Sequence, residues 1–166
     1  MKKVMVLIVV AGLSGMVWLA GCKKDQIDPR SWRPVSFEVP KGWPQPAYTF
    51  ANNPLTFDGF ELGRKLFYDM RLSRDNTVSC GSCHQQVASF AHIDHDISHG
   101  IENRLGTRNS PMLANMAWNT SFFWDGGVNH LESQPIAPIQ NHLEMDMTMP
   151  EVIDRLNADA DYRSRF

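Results

Sequence analysis

Apolar and polar positions change character along the chain. Val4 to Ala20 is an uncharged apolar run behind a short basic start, Met1-Lys2-Lys3. From Lys23 to Pro54 no helical or strand period persists, and Pro29, Pro34, Pro40, Pro44, Pro46 and Pro54 punctuate the stretch. Proline fixes φ and removes a backbone donor, which predicts an extended arm. After Pro54 a helical period sets in. Thr56 can cap a helix in which Phe60, Leu62, Leu66 and Phe67 recur at helical spacing. A polar loop runs from Arg71 to Thr77, and Ser79 can cap a short helix holding Cys80 and Cys83. Ser110-Pro111 predicts a further helix through Leu113, Met116 and Ala117, with proline in the first position. Phe122 to Asn129 reads as a loop that turns at Gly126-Gly127. Thr148 and Glu151 form a capping box opening a helix through Val152, Ile153 and Leu156. Asp159 to Phe166 begins one more, without the turn, cap or polar tail that marks an end, so a longer chain is expected. Strand-like alternation is scarce. The fold class is therefore read as all-α, with short helices joined by long loops.

At 166 residues the chain holds one domain with a real core and is short for two. A net charge of -2 gives no electrostatic case for nucleic acid as a partner.

The basic start, the apolar run and the small residues Ala20-Gly21 before Cys22 describe an export signal. The cysteine in that position resembles a bacterial lipoprotein lipobox. The resemblance implies cleavage before Cys22, lipidation of that residue and a periplasmic protein tethered to the inner or the outer membrane. A plain signal anchor is the alternative, since the run is near the lower limit for a spanning helix. Residues 1–21 are then a signal peptide, 22–52 a Pro-rich tether and 53–166 the folded domain. The tether's aromatics (Trp32, Phe37, Trp43, Tyr48, Phe50) suggest that it packs in places, although a spacer is the plainer reading.

Cys80-Gly81-Ser82-Cys83-His84 carries the chemistry. This C-x-x-C-H spacing is that of c-type haem attachment. Two intervening residues let both thiols reach one porphyrin, and the next residue places an imidazole under the iron. A thioredoxin-like pair would want a βαβ pattern that is lacking. A zinc half-site would want a second ligand pair. A structural disulfide is the remaining alternative. The occupant of the sixth iron position separates electron transfer from peroxide chemistry. Spacing does not choose among His92, His95, His99, His130, His142, Met70, Met112, Met116, Met145 and Met147. The run His92-Ile93-Asp94-His95-Asp96 reads either as a metal site or as a solvated loop.

Beyond the haem motif, several segments stand in a definite order. They are Asn53-Pro54-Leu55-Thr56, Leu62-Gly63-Arg64-Lys65-Leu66-Phe67-Tyr68-Asp69, Arg108-Asn109-Ser110-Pro111, Phe123-Trp124-Asp125-Gly126, Leu131-Glu132-Ser133-Gln134 and Glu144-Met145. In this order the stretch from Asn53 resembles the bacterial di-haem cytochrome c peroxidases and their relatives in methylamine utilisation. The resemblance implies a cytochrome c-like haem domain, the N-terminal, peroxidatic half of such an enzyme. Its reaction reduces hydrogen peroxide to water with electrons from a small periplasmic cytochrome or copper protein. Glu144 matches the family's catalytic carboxylate and Gln134 its distal amide. Trp124 matches the tryptophan between the two haems, and Asn109 a contributor to a calcium site. His99 matches the histidine that caps the peroxidatic iron at rest. Pairing of two copies as a homodimer is a further family-level expectation. Gly127 stands where the family commonly has arginine, and a second C-x-x-C-H, expected in a C-terminal domain, is not in this sequence. Without that second haem the rival reading is a lipid-anchored electron-transfer cytochrome.

Overall fold

The computed structural model describes residues 34–166. The export signal, Cys22 and the arm up to residue 33 lie outside the described residues. Sequence-local caps place the helices. Helix α1, Phe57–Phe67, starts where the Thr56 hydroxyl accepts the Gly59 N–H at 3.0 Å. Asp58 stands in its first turn and Arg64 and Lys65 in its last, each complementing the helix dipole. Helix α2, Cys80–Cys83, is a single turn opened by Ser79, whose N–H donates to the Ser82 hydroxyl at 3.0 Å. Helix α3 is Ile136–Gln140. Helix α4, Met149–Ala158, begins at the expected box, with the Thr148 N–H donating to Glu151 Oε2 at 2.8 Å. Helix α5, Ala160–Arg165, follows at once, because Asp159 Oδ1 accepts the N–H groups of Asp161 and Tyr162. Among the described residues there is no strand. Isolated bridges such as His99 with Leu105 and Phe122 with Val128 only close loops. No described helix is long and apolar enough to cross a membrane.

The core is built where α3 and α4 meet. Leu72, Ile139, Met145, Met147 and Val152 are buried together, with Leu66, Val78, Met149 and Leu156 against them. One arginine ties the polar loop 71–77 to this core. Arg155 donates to the carbonyls of Arg71 at 2.9 Å, Ser73 at 2.6 Å and Arg74 at 2.8 Å, and to Asn76 Oδ1 at 3.0 Å. Buried Tyr162 anchors α5 by donating to Asp69 Oδ2 at 2.6 Å. Asp69 also accepts Arg71, which reaches Asp159 at 2.6 Å. Burial alone would raise the Asp69 carboxyl, but hydrogen bonds from Arg71 and Tyr162 outweigh it and hold the pKa at about 2.

The helix expected from Ser110-Pro111 does not form. The Ser110 N–H donates to Ser98 Oγ at 3.0 Å, and Asn115 sits at φ 54, in the left-handed region that a right-handed helix excludes. Only a 3₁₀ turn, Met116–Trp118, remains. The loop expected over 71–77 starts inside a 3₁₀ turn, Met70–Leu72. From Pro34 the arm is extended and lies on the domain. The Val35 N–H donates to the Leu55 carbonyl at 2.9 Å and the Tyr48 N–H to that of Ala117 at 2.9 Å. Phe37 packs on Phe50 and Trp118, and the Trp118 indole donates to the Pro44 carbonyl at 2.8 Å.

Candidate active site

A cleft of about 510 Å³ opens between α2, the loop 98–109, the extended segment 110–116, the turn 121–125 and the α3–α4 junction. That volume is within the usual range of ligand sites. Its lining includes Cys83, His84, His99, Asn109, Trp124, Gln134 and Glu144. Cys80 stands on the same helical turn as Cys83, and both thiols are unpaired and partly buried. Burial pushes both thiols up, and at Cys83 the negative charge of Glu144 adds to the effect. At position 81 glycine fits closely, because a Cβ there would meet the Tyr68 ring at 2.6 Å.

His84 is oriented by its own backbone surroundings. Its Nδ1 lies 2.9 Å from the Phe90 carbonyl oxygen. A carbonyl only accepts, so the proton is on Nδ1 and the lone pair is left on Nε2. The carbonyl is aimed by two successive left-handed residues, Ser89 at φ 56 and Phe90 at φ 62. Strain of that kind persists only where the surroundings enforce it.

His99 lines the cleft with Nδ1 buried and without a hydrogen-bond partner among the described residues. A buried ring nitrogen without a partner is a costly arrangement unless a bound group satisfies it. Of the other sixth-position candidates, Met112 and Met116 also reach the cleft. Met145 and Met147 belong to the core instead. His92 donates to or accepts from Ser98 Oγ at 3.0 Å and stands 3.4 Å from His95. Among the described residues no three His, Cys, Asp or Glu side chains are grouped to hold a metal ion.

Trp124 is 65% exposed and held at the mouth by an N–H bond to the Asn109 carbonyl at 2.8 Å. The Asn109 side-chain amide donates to the carbonyls of His92 at 3.0 Å and His95 at 2.7 Å. Asp125, beside Gly127, pairs across the rim with Arg108 at 3.1 Å. Gln134 enters the cleft where the turn Leu131–Ser133 meets α3. Sequence reading passed over two residues here. Asn141 Nδ2 donates to Glu144 Oε1 at 2.7 Å. Gly100 abuts the carboxylate's own backbone, since a Cβ there would meet the Leu143 oxygen at 2.0 Å and the Glu144 Cα at 2.5 Å. The local signal for Asn141 was an Asx turn, its Oδ1 accepting the Leu143 N–H at 3.0 Å just past the end of α3. Nothing local marked Gly100.

These residues fit a covalently held haem. Two unpaired thiols share one turn, His84 keeps Nε2 for a metal, and the buried His99 nitrogen is orphaned in the same cleft.

Comparison with known proteins agrees. A family profile described as di-haem cytochrome c peroxidase matches residues 58–166. The methylamine utilization protein MauG of Methylorubrum extorquens is 37% identical over 136 residues, which cover 78% of this chain and 35% of that protein. The cytochrome c551 peroxidase of Pseudomonas aeruginosa is 36% identical over 113 residues, 68% of this chain and 32% of its own. Among solved structures, a MauG-like protein associated with microbial copper homeostasis superposes with a TM-score of 0.71 at 35% identity, covering 80% of this chain and 39% of that one. The chain thus spans about a third of the length of the curated relatives it matches.

Proposed function

Since the chain belongs to the di-haem cytochrome c peroxidase family, we propose that its cleft reduces hydrogen peroxide to water. One observation carries this reading: the haem-attachment turn opens into the same cleft as a carboxylate, an amide and an indole, at Glu144, Gln134 and Trp124. Cys80 and Cys83 would hold haem c through thioethers and His84 Nε2 would ligate its iron. Bound there, the haem supplies redox electrons and an iron site for peroxide.

Splitting the O–O bond consumes two electrons and two protons and yields two waters. The chain's own part is to move a proton between the peroxide oxygens. The Glu144 carboxylate takes a proton from one oxygen and returns it to the other, which leaves as water. Asn141 engages Oε1, which leaves Oε2 for the proton transfer. The Gln134 amide orients peroxide or water beside it. Trp124, exposed at the mouth, would be placed to relay electrons from a second haem of the kind that the di-haem family implies. The donor is a small periplasmic cytochrome or copper protein. Lipid on Cys22 keeps the enzyme at the membrane, and Asn109 contributes to a calcium site.

Glu144→Gln in the haem-loaded protein should abolish peroxide turnover and leave the haem spectrum unchanged. Normal turnover in that variant would sink the assignment. The orphaned His99 nitrogen favours a second reading. If His99 binds the iron permanently, the protein is an electron carrier, and its ferric iron stays low-spin and ignores peroxide even after partial reduction.

A further inference from the structure

We propose that Asn141 is a positioning residue for Glu144, selecting which carboxylate oxygen faces the cleft and holding it there. The inference rests on the peroxidase reading above. Every polar group of Asn141 is used inside one turn. Its N–H donates to the Ala137 carbonyl at 2.9 Å and ends α3. Its carbonyl accepts the N–H groups of Glu144 at 2.9 Å and Asp146 at 3.0 Å. Its Oδ1 accepts the Leu143 N–H at 3.0 Å, and its Nδ2 donates to Glu144 Oε1 at 2.7 Å. The last bond is in the short range of charge-assisted hydrogen bonds. No other described side chain bonds the Glu144 carboxylate, so this one contact sets its rotation and leaves Oε2 unengaged.

Only asparagine supplies all of this. Alanine loses both side-chain bonds. Aspartate keeps the acceptor for Leu143 but replaces the donor with a second carboxylate beside Glu144. The turn then survives while the catalytic group is turned away. Gly100 closes the other side, pressing on the Glu144 backbone, and the Ile101 N–H donates to the Glu144 carbonyl at 2.8 Å. The Glu144 main chain is therefore pinned independently of the Asn141 Nδ2 bond, and on loss of that bond the carboxylate alone is free to respond.

The test compares Asn141→Asp, Asn141→Ala and Glu144→Gln as haem-loaded protein. Asn141→Asp should lower kcat about 10- to 100-fold, the range of a hydrogen bond to a charged group, with KM for peroxide, haem content and melting temperature near wild type. Separately, the infrared carboxylate band that Glu144→Gln removes should shift in Asn141→Ala. Wild-type kcat in Asn141→Asp or an unmoved band would each overturn the proposal. A shifted band together with full turnover in Glu144→Gln would instead leave the pairing standing and overturn the peroxidase reading.

Discussion

The core side of the molecule and the cleft wall are built on opposite rules. Around Leu72, Ile139 and Val152, short helices and a 3₁₀ turn bury apolar side chains together, and buried polar groups are paired at short range with strong partners such as Arg155 and Tyr162. The wall from Ser98 to Asp125 has only isolated 3₁₀ turns, at Ile101–Asn103 and Met116–Trp118. Glu102, Asn103, Asn115 and Phe123 all lie at positive φ. It is held by bonds between loops: Ser98 to Ser110, Asn109 to His92 and His95, Trp124 to Asn109. A regular helix satisfies its own backbone, whereas an irregular wall must borrow donors and acceptors from elsewhere. The difference teaches where chemistry and stability divide. They meet at one peptide bond, for Glu144 lines the cleft while Met145 is buried in the core. Asp146 then clamps the seam, accepting Arg74 at 2.6 Å and Arg104 at 2.8 Å.

The sharpest way to break this division is Tyr162→Ala. It removes a fully buried ring far from the cleft and leaves Asp69 without its phenol donor. Chemical denaturation should show a loss of about 4 kcal/mol, while the molecules that remain folded keep their peroxide turnover. Gly100→Ala strikes the seam itself. A methyl group driven into the Leu143–Glu144 backbone should lower stability by about 2 kcal/mol and, unlike the first change, depress turnover at least tenfold per folded molecule. A variant that loses stability alone would show that the seam does not transmit to the carboxylate. The smallest effect belongs to Asp69→Asn. The folded carboxyl titrates at about 2 against 3.8 in the free group, so its contribution is present above the unfolded value and is lost as pH falls through the folded one. The variant should be about 2 kcal/mol less stable at neutral pH. That deficit should close between pH 4 and pH 2, read from unfolding curves across an acid series.

Helices α1, α4 and α5 were legible because their information is local. Thr56, Thr148 and Asp159 cap them, and Leu66, Val152, Leu156 and Tyr162 turn inward, whereas the expected apolar positions Phe60 and Ile153 stay exposed. The attachment turn was equally legible, since thiol spacing is a matter of one helical turn. The wall was not. Ser110-Pro111 carries a good local helix start, but a serine twelve residues away engages the capping hydroxyl at 2.7 Å and Asn115 turns left-handed. Helix α3 has no side-chain cap bond to announce it.

The sequence by itself determined the C-x-x-C-H spacing, the capped helices and the order of segments that identifies the family. The first two depend on residues within a few positions of one another, and the third on succession along the chain, which is read without folding it. Only the tertiary structure decided that Cys83, His84, His99, Trp124, Gln134 and Glu144 share one cleft, that Asn141 holds Glu144, and that Gly100 must be glycine. Those facts depend on loops brought together from distant parts of the chain, and the packing that joins them is set by non-local contacts that no short window of sequence contains.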